Sequence, residues 1–204
     1  YRNQLAGDLV AEAKKKKVDP YELMTEEASS APSGSEGLFF LPYLTGERTP
    51  HADPNARGAW IGLSPRHTPA HLIRAVMEGV TFAMRDSLEL MRGLGISTEE
   101  IRASGGGSRS EFWRQIQADI YGTPVVTINA SEGPAFGVAL LAATGTGAFG
   151  SIEEACDATI KVVSRTRPTK KAIAFYDRAY KVFAGLYPAL QDEFGKIASV
   201  AGGV

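Results

Sequence analysis

The residues with the clearest chemical potential lie in the segment ASGGGSRSEFW, Ala103–Trp113, where three consecutive glycines separate an apolar run from a segment with helical character. Because glycine has no Cβ atom, a flat base or a ribose can lie directly against such a backbone. The amides at the start of the following helix point outward, and the positive end of the helix dipole favours a phosphate. The segment therefore predicts either a nucleotide-binding loop or a tight strand-to-helix turn without a ligand.

Two common phosphate-binding motifs do not fit the glycine-rich regions of the chain. A P-loop requires Lys-Ser or Lys-Thr after its second glycine. Gly145 and Gly150 have the glycine spacing of that motif, but Ser151 occupies the lysine position. A Rossmann fingerprint requires a third glycine, where this chain has Ser110, and an acidic residue after the next strand, where it has Asn129. The glycine run by itself does not identify a ligand.

Strands and helices alternate along the chain, as hydrophobic periodicity and turn residues indicate. Apolar runs predict strands within Gly37–Leu44 (ending at Pro42), Ala59–Leu63, Ile101–Ser104, Pro124–Ile128 and Ile160–Val163. Helical spacing predicts a first helix stopped by Asp19-Pro20, and further helices at Thr68–Gly93, Ser110–Ile120, Pro134–Ala143, Ser151–Cys156 and Lys170–Phe194. The polar stretches Glu26–Glu36 and Thr45–Arg57 are expected to be loops. This alternation predicts an α/β domain with helices flanking a sheet that has some parallel strands.

Composition restricts the class of function. The chain has 204 residues, of which 44% are hydrophobic and 22% charged, values typical of a globular protein. Its net charge of −1 offers no long basic face for nucleic acid, and no apolar run approaches the roughly 18 residues of a membrane span. A single cysteine, Cys156, favours a reducing, cytoplasmic location. Since the first residue is Tyr1, we expect a processed or truncated chain or a piece of a longer one.

Two further groups of polar residues are candidates for a functional site. Glu47 and Arg48 are expected to pair and to fix their loop, although with His51 they could instead face a cleft or a partner. His67 and His71 have a spacing that zinc could use, but no third ligand lies nearby in the sequence. We therefore predict no metal site among them.

Small residues characterise the helix predicted at Pro134–Ala143. Ala135, Gly137 and Ala139 are expected to pack directly on the sheet behind the glycine loop. Glu132, just before this helix, is a candidate to cap it.

Several motifs, taken in order, resemble the C-terminal domain of the FGGY family of carbohydrate kinases, and within it the xylulokinases. They are LPYLTGERTPHADPNARG (Leu41–Gly58), GAWIGLSPRHTPAHLIRAVMEG (Gly58–Gly79), GGGSRSEFWRQIQADIYGTPV (Gly105–Val125) and EGPAFGVALLA (Glu132–Ala142). The resemblance runs from about Leu38 to Leu190. It implies an α/β, ribonuclease-H-like domain of the actin and hexokinase type, with a mixed sheet flanked by helices. Residues 1–204 would form most of the C-terminal, nucleotide-side domain, with residues 1–36 adding a helix and a loop.

The resemblance also implies an adenosine-binding role for the glycine loop. It assigns ATP or ADP binding to Gly105, Gly106, Gly107, Arg109 and Ser110, with the Gly106 amide near the α-phosphate. Arg109 would either stack on the adenine face or be an ordinary surface arginine. Ser110 stands where the similar glycerol kinases have an adenine-contacting asparagine, and a single hydroxyl cannot copy an amide's paired donor and acceptor.

The family's N-terminal sugar domain is absent from this chain. Its catalytic aspartate and the turn that holds the β- and γ-phosphates are expected upstream, so no catalytic residue and no metal ligand is predicted here. With ATP and Mg²⁺, the intact enzyme would phosphorylate D-xylulose to D-xylulose 5-phosphate, whereas this chain alone would be inactive. The alternatives are another FGGY sugar or polyol kinase, and a non-catalytic adenine-nucleotide-binding module. Expected partners are the sugar, the missing N-terminal domain or chain and, in a homodimer, a second copy.

Overall fold

A computed structural model describes residues 1–130 and 133–201. Its helices and strands follow the order α1 (Arg2–Leu5), α2 (Gly7–Lys16), α3 (Pro20–Ser29), β1 (Phe39–Leu41), β2 (Ala59–Ile61), α4 (Pro69–Gly93), β3 (Ile101–Arg102), α5 (Glu111–Tyr121), β4 (Val125–Ile128), α6 (Gly133–Gly145), α7 (Ile152–Thr159), β5 (Val162–Thr166) and α8 (Lys170–Ala201). The predicted α/β class is confirmed. In the described ranges, no helix combines the length and the apolar character needed to cross a membrane.

The strands form two small sheets. β1 and β2 pair antiparallel, with Phe40 opposite Trp60, and β1 ends directly before Pro42 as predicted. The second sheet has the order β3-β4-β5, in which β3 is parallel to β4 and β5 is antiparallel to β4. The carboxyl ends of β3 and β4 therefore lie at the same edge of the sheet, and the glycine loop follows β3 at that edge.

Helix α4 is the central support of the fold, since α3, β1, α5 and α8 all pack against it. It approaches β1 so closely that a Cβ atom added at Gly79 would lie 2.1 Å from the carbonyl oxygen of Phe40. Glycine is therefore required at this position. On the same helix, Phe82 is buried against Tyr176 and Phe183 of α8.

A buried ion pair lies inside α4. The Nε of Arg74 donates to Oε1 of Glu78 over 2.8 Å, and the two side chains are only 8% and 3% exposed. Glu78 also accepts from the Gly34 amide at 2.9 Å and the Tyr176 hydroxyl at 2.7 Å, while Nη1 of Arg74 donates to the Ala31 carbonyl at 2.7 Å. Burial and the Glu78 charge raise the pKa of Tyr176, which keeps its hydroxyl protonated as a donor. The pair thus connects α4 with the turn after α3 and with α8.

The N-terminal region differs from the prediction. Residues 1–36 contain three α-helices rather than one helix and a loop, and Glu26–Ser29 belongs to α3. Asp19-Pro20 begins α3 because the Asp19 carboxylate accepts from the Tyr21 amide at 2.9 Å and proline occupies the first turn. The preceding helix ends earlier, at Lys16, where Lys17 adopts a left-handed conformation.

The expected packing of α6 on the sheet is wrong. Ala135 and Ala139 are exposed, and a Cβ atom added at Gly137 would meet nothing within 4 Å. Leu140 is the buried residue of this helix, which packs mainly on α7. The expected cap, Glu132, lies outside the described residues.

We predict that Arg74→Met lowers the free energy of unfolding by about 3–5 kcal/mol, because it leaves the Glu78 carboxylate buried without its cation. The matched change Arg178→Met, at an exposed arginine of α8, should alter it by less than about 0.5 kcal/mol. Urea unfolding followed by circular dichroism measures both variants. A loss below about 1 kcal/mol for Arg74→Met would show that the pair does not hold the fold.

Candidate functional site

A cavity of about 500 Å³ opens at the carboxyl ends of β3 and β4. It is lined by Ala103, Gly105, Ser108, Arg109, Arg114, Thr127, Ile128, Asn129, Ala130 and Ser164. In α/β sheets, ligands bind preferentially beyond the carboxyl ends of the strands. Two residues of the predicted site, Gly105 and Arg109, therefore line a cavity in the position where a ligand is expected.

The charge of this cavity suits an anion. Among the described residues that line it are two guanidinium groups, those of Arg109 and Arg114, and no carboxylate. No group of three or more histidine, cysteine, aspartate or glutamate residues that could hold a metal occurs in residues 1–130 and 133–201. An arginine guanidinium matches the geometry of phosphate oxygens well, so the lining fits a phosphorylated ligand better than a cation.

Two of the three glycines of the loop have a structural reason in the described fold, and the third has none. Gly105 has φ +75° and ψ −167°, a conformation that few residues other than glycine adopt. Gly107 lies on the indole of Trp113, where an added Cβ would be 3.1 Å from a ring carbon. Gly106 has neither constraint, because its φ is outside the left-handed region and an added Cβ would meet nothing within 4 Å. The described fold thus leaves the absence of a side chain at Gly106 unexplained.

The backbone of the loop also presents free donors. Gly106–Ser108 form a short 3₁₀ turn, in which the Ser108 and Arg109 amides donate to the carbonyls of Gly105 and Gly106 at 3.2 Å each. In the part of the chain that the structure describes, the amides of Gly106 and Gly107 have no such acceptor. Unpaired amides at the start of a helical turn form an anion-binding site.

Helix α5 holds the loop in place. Ser110 is its N-cap, with the hydroxyl accepting from the Trp113 amide at 3.1 Å. The Trp113 indole donates to the Thr81 hydroxyl of α4 at 3.2 Å, which fixes the surface on which Gly107 rests. Ser110 therefore serves as a cap and does not line the cavity, and its contact with adenine stays a prediction, as do the nucleotide contacts of the other loop residues.

Sequence reasoning missed most of the cavity wall. Arg114 lies one helical turn after Ser110, so helical spacing could have placed it beside the loop. Thr127 and Ser164 come from neighbouring antiparallel strands, and their hydroxyls are 2.6 Å apart. Asn129 binds the Thr159 carbonyl and the Lys161 amide, which ties the end of β4 to the start of β5. Since the pairing of β4 with β5 was not predicted, no sequence signal connected these three residues.

The other polar candidates stabilise their own segments. The expected Glu47–Arg48 ion pair is not formed; Oε1 of Glu47 instead accepts from the backbone amides of Arg48 and Thr49 at 2.6 and 2.9 Å. His51 stacks on Tyr187 of α8 with ring centroids 3.6 Å apart, and the Tyr187 hydroxyl donates to Asp53 at 3.0 Å. A second cavity of about 400 Å³ lies beside these residues.

The two histidines near the start of α4 also have structural contacts. Nδ1 of His67 accepts from the Ser64 amide at 2.9 Å, and Nδ1 of His71 accepts from the Thr68 amide at 3.2 Å. The second contact is part of a capping box that begins α4. The Nδ1 nitrogen of each of these two histidines is therefore occupied by a backbone contact.

Comparison with known proteins identifies carbohydrate kinases as relatives of this chain. Residues 2–146 match the model of the FGGY family of carbohydrate kinases, C-terminal domain. A xylulose kinase of Staphylococcus epidermidis is 41% identical over 169 residues, which make up 83% of this chain and 34% of that protein. A gluconokinase of Bacillus subtilis is 32% identical over 204 residues, or 100% of this chain and 40% of that protein. The chain thus spans between about a third and two fifths of the length of these relatives.

Solved structures of carbohydrate kinases also resemble this chain. The ligand-bound xylulose kinase from Lactobacillus acidophilus superposes with a TM-score of 0.81 at 30% identity, covering 94% of this chain and 39% of that one. A xylulose kinase from Rhodospirillum rubrum gives a TM-score of 0.79 at 33% identity. The predicted ribonuclease-H-like fold of the actin and hexokinase type is confirmed by this likeness.

We predict opposite effects of alanine at two adjacent glycines. Gly105→Ala should destabilise the chain by roughly 1–2 kcal/mol, because alanine resists a positive φ. Gly106→Ala should be neutral or stabilise it by up to about 1 kcal/mol, because the new methyl group meets no atom and the unfolded chain loses freedom. Urea unfolding of both variants measures the difference. Equal losses would mean that the fold itself requires glycine at position 106.

Proposed function

The chain belongs to the FGGY family of carbohydrate kinases, and from this premise we propose that it forms the nucleotide-binding part of an ATP-dependent sugar kinase. Residues 1–204 would be most of the family's C-terminal domain. Gly105, Gly106, Gly107, Arg109 and Ser110 would form the adenosine loop. The open backbone at Gly106 is the single observation that carries this assignment, since within the described chain nothing requires a glycine there.

The cavity and the glycine loop beside it fit the phosphates and the sugar of ATP or ADP, and Gly106 and Gly107 belong to that loop rather than to the cavity lining. Free amides at Gly106 and Gly107 would donate to phosphate oxygens, and two arginines would balance their charge. When bound, ATP supplies the phosphoryl group that is transferred. The part of the reaction assigned to this chain is to bind the nucleotide and to orient it, which is a large share of catalysis in phosphoryl transfer.

The described lining of the cavity does not fit Mg²⁺. This ion prefers carboxylate oxygens and water in an octahedral arrangement, and the lining residues include no carboxylate. Groups outside the described residues, together with the nucleotide phosphates, would therefore hold the ion.

A second protein domain or chain is the proposed partner. Helix α6 has no charged residue, yet Val138 and Leu141 are 66% and 62% exposed. A helix that is apolar on all sides is normally buried. Because the chain spans only about a third of the xylulose kinases that it resembles, we assign the missing sugar-binding domain to this face rather than a second copy in a homodimer. That domain would carry the catalytic aspartate.

D-xylulose is the proposed substrate, with D-xylulose 5-phosphate as the product. The support is the higher identity to xylulose kinases, for example 37% over 174 residues for that of Bacillus subtilis. Gluconate is the second candidate, because the gluconokinase matches cover 97–100% of this chain. Cys156, the single cysteine, favours a reducing cytoplasm as the site of action.

We predict that Gly106→Asp abolishes ADP binding in a chain that remains folded. The substitution places a side chain and a negative charge against the nucleotide, while the surrounding space accepts the new atoms. Isothermal titration with ADP measures the affinity, and circular dichroism checks the fold. Gly137→Asp, in equally open space on α6, is the control and should keep the wild-type affinity. Unchanged ADP affinity in folded Gly106→Asp would contradict the assignment of the loop.

We also predict that the chain alone does not phosphorylate sugar, and that adding the sugar-binding domain of a family relative as a separate chain restores activity. Loss of a positioned general base typically costs ~10²–10⁴-fold in rate. Coupled ADP release with ATP and Mg²⁺, measured with D-xylulose and with gluconate, tests both the partner and the substrate. Leu141→Glu should weaken the association, since it places a charge in the apolar face. Sugar-dependent turnover by the isolated chain would contradict this division of roles.

A further inference from the structure

Arg114 contacts three consecutive carbonyl groups of the glycine loop. Its Nη1 donates to the carbonyl of Ser108 at 2.5 Å and to that of Arg109 at 3.1 Å. Its backbone amide donates to the carbonyl of Ser110 at 3.0 Å. The Arg114 side chain therefore engages the carbonyls of Ser108 and Arg109, and the bond to Ser110 is the first backbone bond of α5.

This arrangement separates the two kinds of backbone group in the loop. The carbonyl oxygens of Ser108 and Arg109, whose partial negative charge would repel a phosphate, bind the guanidinium of Arg114. The amides of Gly106 and Gly107 are the groups left without an acceptor in the described chain. A concave run of free amides next to engaged carbonyls is the backbone arrangement that binds anions.

The guanidinium geometry matters as well as the charge. Both hydrogen bonds come from Nη1, whose two N–H groups are fixed in the plane of the guanidinium, whereas the lysine ammonium is a point charge on a flexible stem. The Nε of Arg114 is buried without a hydrogen-bond partner in the described part of the chain, which leaves the stem packed rather than solvated. Arg114 also lines the cavity itself.

We propose that Arg114 is a positioning residue that sets the glycine loop in its phosphate-accepting conformation by binding the carbonyls of Ser108 and Arg109 with its side chain. The inference rests on the proposed nucleotide-binding function of this loop. Arg114 acts through the loop, and the free amides of Gly106 and Gly107 are the groups that meet the ligand.

The test compares the wild-type chain with Arg114→Lys and Arg114→Met. Arg178→Lys serves as the control, because Arg178 also donates to a carbonyl, that of Ala174 at 3.0 Å, on an exposed face of α8. Hydrogen exchange of the Ser108 and Arg109 amides reports the loop conformation without any ligand. Titrations with ADP and with adenosine report binding with and without phosphates.

Arg114→Lys and Arg114→Met should both speed exchange of these two amides by about tenfold and weaken ADP binding by about tenfold, the size expected for hydrogen bonds from a charged group. Adenosine affinity should fall less than ADP affinity, and the control variant should keep wild-type exchange and affinities. Unchanged exchange and unchanged ADP affinity would overturn the inference. So would a lysine variant that keeps wild-type exchange and affinity while methionine loses only affinity, because that result assigns Arg114 a direct charge contact. A wild-type chain that binds no ADP would instead refute the proposed function, and exchange would still decide whether Arg114 holds the loop.

Discussion

The buried Arg74–Glu78 ion pair is the interaction on which the rest of the structure depends. Removing two charges from water is expensive, and further hydrogen bonds made by both partners offset that cost. Glu78 accepts from the Gly34 amide, the Ser35 hydroxyl and the Tyr176 hydroxyl in addition to Arg74. Three segments far apart in sequence must therefore meet at one carboxylate, which fixes their positions around α4.

From this pair, a continuous series of contacts leads to the glycine loop. The Arg74 guanidinium lies over the Phe112 ring of α5, 5.2 Å from its centroid. The adjacent Trp113 bonds to Thr81 of α4 and forms the surface against which Gly107 packs. The loop thus rests on a rigid helix rather than on other loops, which is how a binding site keeps its geometry before the ligand arrives.

The glycine loop could be identified from the sequence because its composition is itself the physical signal: only bare backbone permits the conformation of Gly105 and the contact at Gly107. The wall of the cavity could not, because Thr127 and Ser164 meet only through an antiparallel pairing that joins distant parts of the chain. Helical spacing could have placed Arg114 beside the loop. Its hydrogen bonds could not be predicted, because their acceptors are backbone carbonyls, which every residue has.

The sequence predictions that were wrong have local physical causes. Asp19-Pro20 was interpreted as a helix stop, yet the same pair caps and begins a helix, and only the tertiary fold decides between the two. The small residues of α6 predicted burial against the sheet, but within the described chain Ala135, Val138 and Leu141 are exposed, because a helical pattern does not specify the surface on which a helix packs. The Glu47 carboxylate accepts hydrogen bonds from amides of its own loop. This loses less side-chain entropy than an ion pair with a flexible arginine would.

The most direct test of the central claim is a titration of the ¹⁵N-labelled chain with ADP, followed by amide chemical shifts. We expect the largest changes at the amides of Gly105–Ser110, with none around His51 and Asn55 beside the second cavity. Shifts confined to that second cavity, or no shifts at millimolar ADP, would contradict the assignment of the glycine loop as the nucleotide site.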